Sequence, residues 1–201
     1  MTAYRRIWTL VLISLAGFAT GCCSTLKPAE LNEQGRFETN TVLYDVEVTL
    51  NGDFKDEYSA LVYIKTDEKV EQYNDFFVET VNNMGVFDQV VDQAGMESLV
   101  FERELADKVS SVSDRIGLYN LAKHIGPFLV VEPYTEFKGG YDFAAKLTIV
   151  DPATGDEVLI LDNEAFNWAG LDKPLFYPLF NALLEWAQGK PITTEPRASS
   201  E

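Results

Sequence analysis

Residues 141–150 alternate between two sets of side chains, and this alternation constrains the fold more than any other feature of the sequence. One set is Tyr141, Phe143, Ala145, Leu147 and Ile149. Because successive side chains of a strand point to opposite faces, the pattern predicts a half-buried strand with this set inside and Asp142, Lys146 and Thr148 outside. The turn residues Asp151-Pro152-Ala153-Thr154-Gly155 follow, and 158–166 is again strand-like. We therefore predict an antiparallel hairpin.

Strand-like and helix-like patterns alternate along the rest of the chain. We predict strands over 41–50, 58–66, 86–91 and 128–136, and helices over 67–84, 95–106, 113–125 and from Pro178 onward. Asn51-Gly52-Asp53 has turn chemistry and predicts a hairpin between the first two strands. The order predicts an α/β (α+β) fold. This is a single three-layer-like domain, with a mixed sheet, an antiparallel C-terminal meander and flanking helices.

Three further local predictions concern single elements. Pro133 predicts an edge, a bulge or a break in the strand over 128–136. The helix over 113–125 is predicted to be capped by Ser113 or Asp114 and to bury Ile116, Tyr119, Ala122 and Ile125. The last helix is predicted to leave its polar residues facing solvent, namely Asn181, Glu185 and Gln188.

The first 21 residues have the features of an export signal peptide. Arg5 and Arg6 precede an uncharged run over 7–18 that is too short to span a bilayer comfortably. Small residues then lead to a cysteine, and the tetrapeptide Ala19-Thr20-Gly21-Cys22 resembles the lipobox of bacterial lipoproteins. The resemblance implies cleavage before Cys22, a diacylglycerol on its thiol and an acyl chain such as palmitate on its amino group. The alternatives are a plain secretory signal cut at Gly21 and a cut before Cys23.

The cysteines support the lipid interpretation. Cys22 and Cys23 are the only two in the chain, so disulfide bonds are not expected to hold the fold together. Each buried methylene contributes roughly 0.8 kcal/mol, so two or three acyl chains form a permanent membrane anchor. By the same resemblance, the absence of Asp after Cys22 implies the outer membrane, with the domain on its periplasmic face.

These features divide the chain into four predicted segments. Residues 1–21 are the lipoprotein signal peptide, and 22–38 are the lipidated N-terminus and a tether. Residues 39–189 are the periplasmic α/β domain, and 190–201 are a flexible polar tail.

The net charge excludes one class of partner. The chain has 16 Lys and Arg against 32 Asp and Glu, a net charge of −16, and loss of the signal peptide removes two arginines and lowers it to −18. A chain this acidic repels phosphate backbones and anionic lipid surfaces. Nucleic-acid binding is therefore not expected.

The sequence lacks the common motifs of catalysis and metal binding. Its one histidine, His124, lies near the end of a predicted helix, where positive charge is favourable. Four oxygen-bearing residues lie close together in one loop, but their spacing is not that of a calcium loop: Asn51, Asp53, Asp56 and Glu57. We predict no catalytic residue, no metal and no cofactor.

The order of elements over 40–188, together with the hairpin over 147–158 and its D-x-x-T-G turn, resembles a recurring periplasmic α/β domain. This domain occurs in curli-secretion lipoproteins, in lipoprotein activators of penicillin-binding proteins and at the N-terminus of the Tol-system propeller protein. The resemblance implies a non-enzymatic role in assembly or scaffolding.

The leading functional hypothesis is a lipid-anchored scaffold in envelope assembly or export that binds another envelope protein or its own copies. The alternatives are an envelope hydrolase with paired carboxylates and a binder of small apolar ligands or cell-wall fragments. An enzyme should show a polar cleft with two carboxylates, and a binder an exposed apolar patch or open sheet edge. In the irregular segment 167–177, Trp168 and Tyr177 are candidate partner anchors. The alternative is that these aromatics cover one end of the sheet.

Overall fold

The centre of the fold is a mixed six-stranded sheet, seen in a computed structural model that describes residues 26–40, 46–166 and 170–193. The strands are β1 (Glu47–Asn51), β2 (Val62–Ile64), β3 (Val90–Val91), β4 (Leu129–Gly139), β5 (Asp142–Asp151) and β6 (Asp156–Phe166). Their order across the sheet is β1-β6-β5-β4-β2-β3. Strand β2 runs parallel to β3 and β4, and the other pairs are antiparallel. The predicted α+β class, with its antiparallel C-terminal meander, is confirmed.

Four α-helices lie within the described residues: α1 (Asn74–Asn82), α2 (Gln93–Glu102), α3 (Arg115–Ile125) and α4 (Tyr177–Ala187). Each corresponds to a predicted helix, but some boundaries differ. Helix α1 begins at Asn74 rather than near 67 because the preceding residues form tighter turns. In these turns the Asp67 carboxylate accepts hydrogen bonds from the amides of Lys69 and Val70.

The hairpin of β5 and β6 confirms the prediction from the alternating residues, with one exception. Tyr141 is predicted inside, but it lies in the turn before β5 and is 57% exposed. Leu147 lies opposite Leu161, and both are fully buried, whereas Asp142 is exposed. In the turn, the amide of Gly155 donates to the carbonyl of Asp151 at 2.7 Å, and Gly155 has a φ of 80°, which favours glycine. Local turn chemistry and burial of one face thus specify the same structure.

Pro133 lies on an edge, one of its three predicted outcomes. It pairs with Leu147 of β5, but β2 pairs with β4 only as far as Val131. The missing N–H of Pro133 therefore leaves no strand partner unsatisfied.

The hairpin predicted at Asn51-Gly52-Asp53 is wrong. Strand β1 pairs with β6, and the amide of Gly52 continues this pairing by donating to the carbonyl of Val158 at 2.7 Å. The chain then crosses to the other half of the sheet through a 3-10 helix, Asp56–Ala60. Within it Tyr58 is fully buried, and its hydroxyl donates to the Asp151 carboxylate at 2.7 Å. Burial of Tyr58 and pairing of β1 with β6 outweigh the local preference for a turn.

The two faces of the sheet are covered to different extents. On the closed face, α1, α4 and residues 26–40 cover one large core, which includes Phe77, Leu147, Leu161 and Phe180. On the open face, α2 and α3 pack against β2, β3 and the adjoining part of β4 in a smaller core, which includes Tyr63, Met96, Leu121 and Val130. Further along the open face, β5 and β6 carry polar side chains, with Lys146 and Asp162 3.1 Å apart in an ion pair.

Residues 26–40 pack against α4, and this corrects two predictions. The Asn181 side chain accepts from the amide of Phe37 at 2.8 Å and donates to its carbonyl at 3.0 Å. Glu185 forms an ion pair with Arg36 at 2.7 Å. Asn181 and Glu185 are therefore buried, contrary to prediction, because the N-terminal segment and, for Glu185, also Thr193 supply their polar partners. Gln188 is exposed, as predicted. Much of the segment predicted as a tether belongs to the folded domain.

Candidate functional site

The candidate site is defined by the orientation of α3. Asp114 caps this helix, as predicted, by accepting from the amide of Gly117 at 2.8 Å, and this hydrogen bond lowers the pKa of the carboxyl. A Cβ on Gly117 would lie 1.8 Å from the carbonyl oxygen of Ser111, so only glycine lets the first turn rest on the preceding loop. In this orientation of α3, Leu118 and Leu121 point into the core of the open face.

The predicted buried face of α3 is therefore wrong in part. Ala122 is buried as predicted, but Ile116 is 72% exposed and Tyr119 is also exposed. The helix has more apolar side chains than one face can bury, and the contact at Gly117 selects Leu118 and Leu121. Ile116 and Tyr119 remain as an apolar border beside the sheet.

A groove of about 190 Å³ lies between this border and the sheet. Its apolar walls come from α3, β4, β5 and the β5–β6 turn, namely Ile116, Leu118, Tyr119, Val130, Val150 and Pro152. Lys65, Arg115 and Glu132 also line it. We call this depression the α3 groove.

The charged groups of the α3 groove are two cations and one carboxylate. Lys65 and Glu132 are 2.7 Å apart in a partly exposed ion pair. Arg115 forms no ion pair with any residue in the described part of the chain. The residues that line the groove therefore carry a net charge of +1, on a chain whose net charge is −16.

A second depression, of about 460 Å³, lies between α2 and the loop that precedes α3. Phe101 of α2 lines it and is 69% exposed, and Ser110, Ser111 and Ser113 line it from the loop. Both helices that cover the open face thus expose large apolar side chains next to a depression.

The buried tyrosine of the open face is unsuited to proton transfer at neutral pH. Tyr63 lies in β2 beneath the helices, and burial, with smaller contributions from Glu97, Asp92 and Glu132, raises its pKa to about 12. Its hydroxyl therefore stays protonated, and we assign it a packing role.

Of the candidate partner anchors, Tyr177 lies within the described residues and packs into the core. Its ring stacks on Phe37 with centroids 5.6 Å apart, and its hydroxyl donates to the carbonyl of Lys27 at 2.8 Å. Burial raises its pKa to about 12. Tyr177 thus covers the closed face, which is the alternative given for this segment. Trp168 and the lipidation candidate Cys22 lie outside the described residues.

The other chemically interesting residues do not form a site. In the ranges that the structure describes, no three or more His, Cys, Asp or Glu side chains come together where they could hold a metal ion. His124 is exposed in the last turn of α3. The oxygen-bearing residues of the 51–57 loop are also exposed.

None of the described helices has both the length and the apolar character needed to cross a membrane.

The fold and the groove define a mixed α+β domain with an apolar surface depression. The sequence matches no family model and no curated protein. Among solved structures, it is similar to the PelC dodecamer from Paraburkholderia phytofirmans, with a TM-score of 0.40 and 12% identity over 74% of this chain and 99% of that one.

The LpoB C-terminal domain is also similar, in two species. For Salmonella enterica the TM-score is 0.36, with 15% identity over 58% of this chain and 88% of that one. For Escherichia coli it is 0.36, with 12% identity over 55% and 85%. Similarities of this size do not define a function.

Proposed function

We propose that this chain is an outer-membrane lipoprotein, acylated at Cys22, whose periplasmic domain serves as a scaffold in envelope assembly or export. The domain binds another envelope protein, or a second copy of itself, at the α3 groove. The observation that carries the proposal is the exposed apolar border of the groove, Ile116 and Tyr119. Large apolar side chains exposed together beside a depression are typical of interaction sites.

The size and charge of the α3 groove indicate what it binds. Sites for drug-sized ligands usually enclose about 300–1,000 Å³. The groove, at about 190 Å³, is smaller and suits a single apolar side chain of a partner. Because Arg115 adds an unpaired positive charge, a partner with an acidic residue next to that apolar side chain fits best.

The groove favours binding over carboxylate-based hydrolysis. Glycoside hydrolysis needs two carboxylates about 5–9.5 Å apart, on either side of the scissile bond. The lining of the groove includes one carboxylate, Glu132, and Lys65 already pairs with it. The walls are otherwise mainly apolar, which suits contact area rather than proton transfer.

Site-specific crosslinking in intact cells tests the binding site. A photoreactive amino acid in place of Ile116 should give a discrete product with one envelope protein or with a second copy of the chain. The same replacement at Glu79, which is exposed on α1 over the closed face, is the control. Adding Tyr119→Ser should abolish the product at Ile116 without unfolding the domain. Equal products from both positions, or a product insensitive to Tyr119→Ser, would place the binding site elsewhere.

The lipid anchor has its own test, with neighbouring cysteines as matched variants. Cys22→Ser should abolish labelling by radioactive palmitate and leave an unprocessed precursor. Cys23→Ser should change neither the labelling nor the membrane fractionation. Labelling that depends on Cys23 would refute the assignment of Cys22.

A further inference from the structure

Exposed aromatic side chains gather at one end of the β4–β5 hairpin. Phe137 is 61% exposed, Tyr141 57% and Phe166 37%. The ring centroids of Phe137 and Phe143 are 5.2 Å apart, and those of Tyr141 and Phe166 are 5.5 Å apart. We call this group, residues 137–143 with Phe166, the aromatic end. It is separate from the α3 groove, which includes the opposite turn of β5.

The aromatic end projects beyond the sheet on the β2 side. Strand β2 pairs with β4 only up to Val131, and the residues that follow β2 are described. Phe137 therefore lies six residues past the last pairing of β4 with β2. At about 3.3 Å per residue, the β4–β5 hairpin extends roughly 20 Å past this pairing.

The first described residues of the N-terminal segment lie on the same side. The Asn163 side chain, in the half of β6 nearer the aromatic end, donates to the carbonyls of Pro174 and Leu175 at 3.0 and 2.8 Å. Tyr177, two residues further on, donates to the carbonyl of Lys27. Through Tyr177, Leu175 and Asn163, a set of contacts therefore connects Lys27 to the half of β6 nearer the aromatic end.

The length of chain between the domain and the proposed lipid is short. Leu26 already packs against the core of the closed face, and it lies four residues after Cys22. Four residues span at most about 14 Å even when fully extended. An acylated Cys22 therefore holds this side of the domain close to the bilayer surface.

We propose that the aromatic end inserts into the interfacial layer of the membrane that holds the lipid on Cys22, so that the protein contacts the bilayer at two points. Tyr and Phe suit this layer because their rings are apolar, and the Tyr hydroxyl can remain hydrated. The proposal rests on the acylation of Cys22 and goes beyond it, because it fixes which side of the domain faces the membrane and leaves the α3 groove free for a partner.

The charges of the aromatic end select the kind of lipid. Asp142 in the aromatic end and Glu136 and Glu164 next to it carry negative charge, and Lys138, which pairs with Glu164, carries the only positive charge among residues 136–143, 164 and 166. The net charge of −2 opposes contact with an anionic surface. The favoured membrane is therefore rich in zwitterionic phospholipid, such as phosphatidylethanolamine.

Fluorescence of the full-length acylated protein in vesicles tests this proposal. In a Cys23→Ser background, a polarity-sensitive label is attached at Tyr141→Cys or, as a second position, at Phe137→Cys. The matched control is Asp156→Cys, in the exposed turn at the other end of β5. The protein is reconstituted into phosphatidylethanolamine–phosphatidylcholine vesicles, some of which contain headgroup-level nitroxide lipid. The mass of the N-terminal peptide verifies acylation separately.

We expect the labels at 141 and 137 to shift to shorter emission wavelengths and to be quenched several-fold more strongly than the label at 156. Replacing part of the zwitterionic lipid by phosphatidylglycerol should reduce the difference. Equal quenching at all three positions in acylated protein would overturn the membrane contact while leaving the proposed function intact. An unacylated N-terminal peptide would instead overturn the anchor and, with it, this inference.

Discussion

The closed and open faces belong to the same central strands, but the layers that cover the two faces differ. On the closed face, residues 26–40 lie over α4, and even the polar side chains of Asn181 and Glu185 have partners there. On the open face, α2 and α3 cover only part of the sheet, and Phe101 and Ile116 are exposed. The difference shows that large apolar side chains stay exposed on the face over which the described residues supply no second covering layer.

The largest effect should come from neighbours in β5 that face opposite sides. Leu147→Asp should unfold the domain, because loss of a fully buried Leu alone costs about 2–5 kcal/mol and the new carboxylate has no partner. Lys146→Asp removes a partly exposed ion pair worth about 0–1 kcal/mol and should leave the domain folded. Thermal melting followed by circular dichroism measures both. Equal decreases in melting temperature for the two variants would mean that residues 146 and 147 do not face opposite sides of the sheet.

A pair of substitutions in α3 compares its buried and exposed sides. Leu121→Ala should lower the free energy of unfolding by about 2–5 kcal/mol, because Leu121 is fully buried. Ile116→Ala should change it by less than about 0.5 kcal/mol. Urea denaturation gives both values. A large loss for Ile116→Ala would make this side chain part of the core and remove the basis of the α3 groove as a binding site.

The contact between the N-terminal segment and α4 should have a smaller effect. Asn181→Ala leaves the buried amide and carbonyl of Phe37 without their partner, at a cost of about 1–3 kcal/mol. Limited proteolysis should then cleave within 26–40 more readily. Gln188→Ala, on the exposed side of the same helix, is the control and should change neither result.

The smallest expected effect is a pH dependence of stability that comes from Asp114, the cap of α3 on the open face. The hydrogen bond from the Gly117 amide lowers the pKa of Asp114 below its ordinary value of 3.8, so the carboxylate contributes stability that is fully present above about pH 4. This contribution is lost as pH falls through the lowered folded-state pKa. The stability difference between the parent and Asp114→Asn should therefore be constant near neutral pH and shrink in acid. A difference that is independent of pH down to pH 2 would contradict the charged cap.

The sequence predicts those parts of the fold in which local pattern and burial agree. The alternation around Leu147 and the turn after Asp151 both specify the hairpin of β5 and β6. The turn chemistry at Asn51 is equally clear, yet the fold overrides it, because the pairing of β1 with β6 depends on residues more than 100 positions away. Periodicity cannot reveal such long-range pairings.

The candidate site was harder to predict for the same physical reason. Helix α3 contains two overlapping apolar stripes, and which of them is buried depends on tertiary contacts such as the close approach of Gly117 to Ser111. The excess of apolar residues, Ile116 and Tyr119 in addition to Leu118 and Leu121, was the available signal. Residues 26–40 have no periodicity, so their packing on α4 could not be inferred either.

The contact between Phe37 and Asn181 also affects the time course of folding. The two residues are 144 positions apart, and α4 follows the other described helices along the chain. The outer layer of the closed face therefore cannot form until the chain is available through α4, whereas the β5–β6 hairpin closes through local contacts. Because contacts between distant residues form slowly, residues 26–40 are expected to remain open to chaperones and proteases until the final step of maturation.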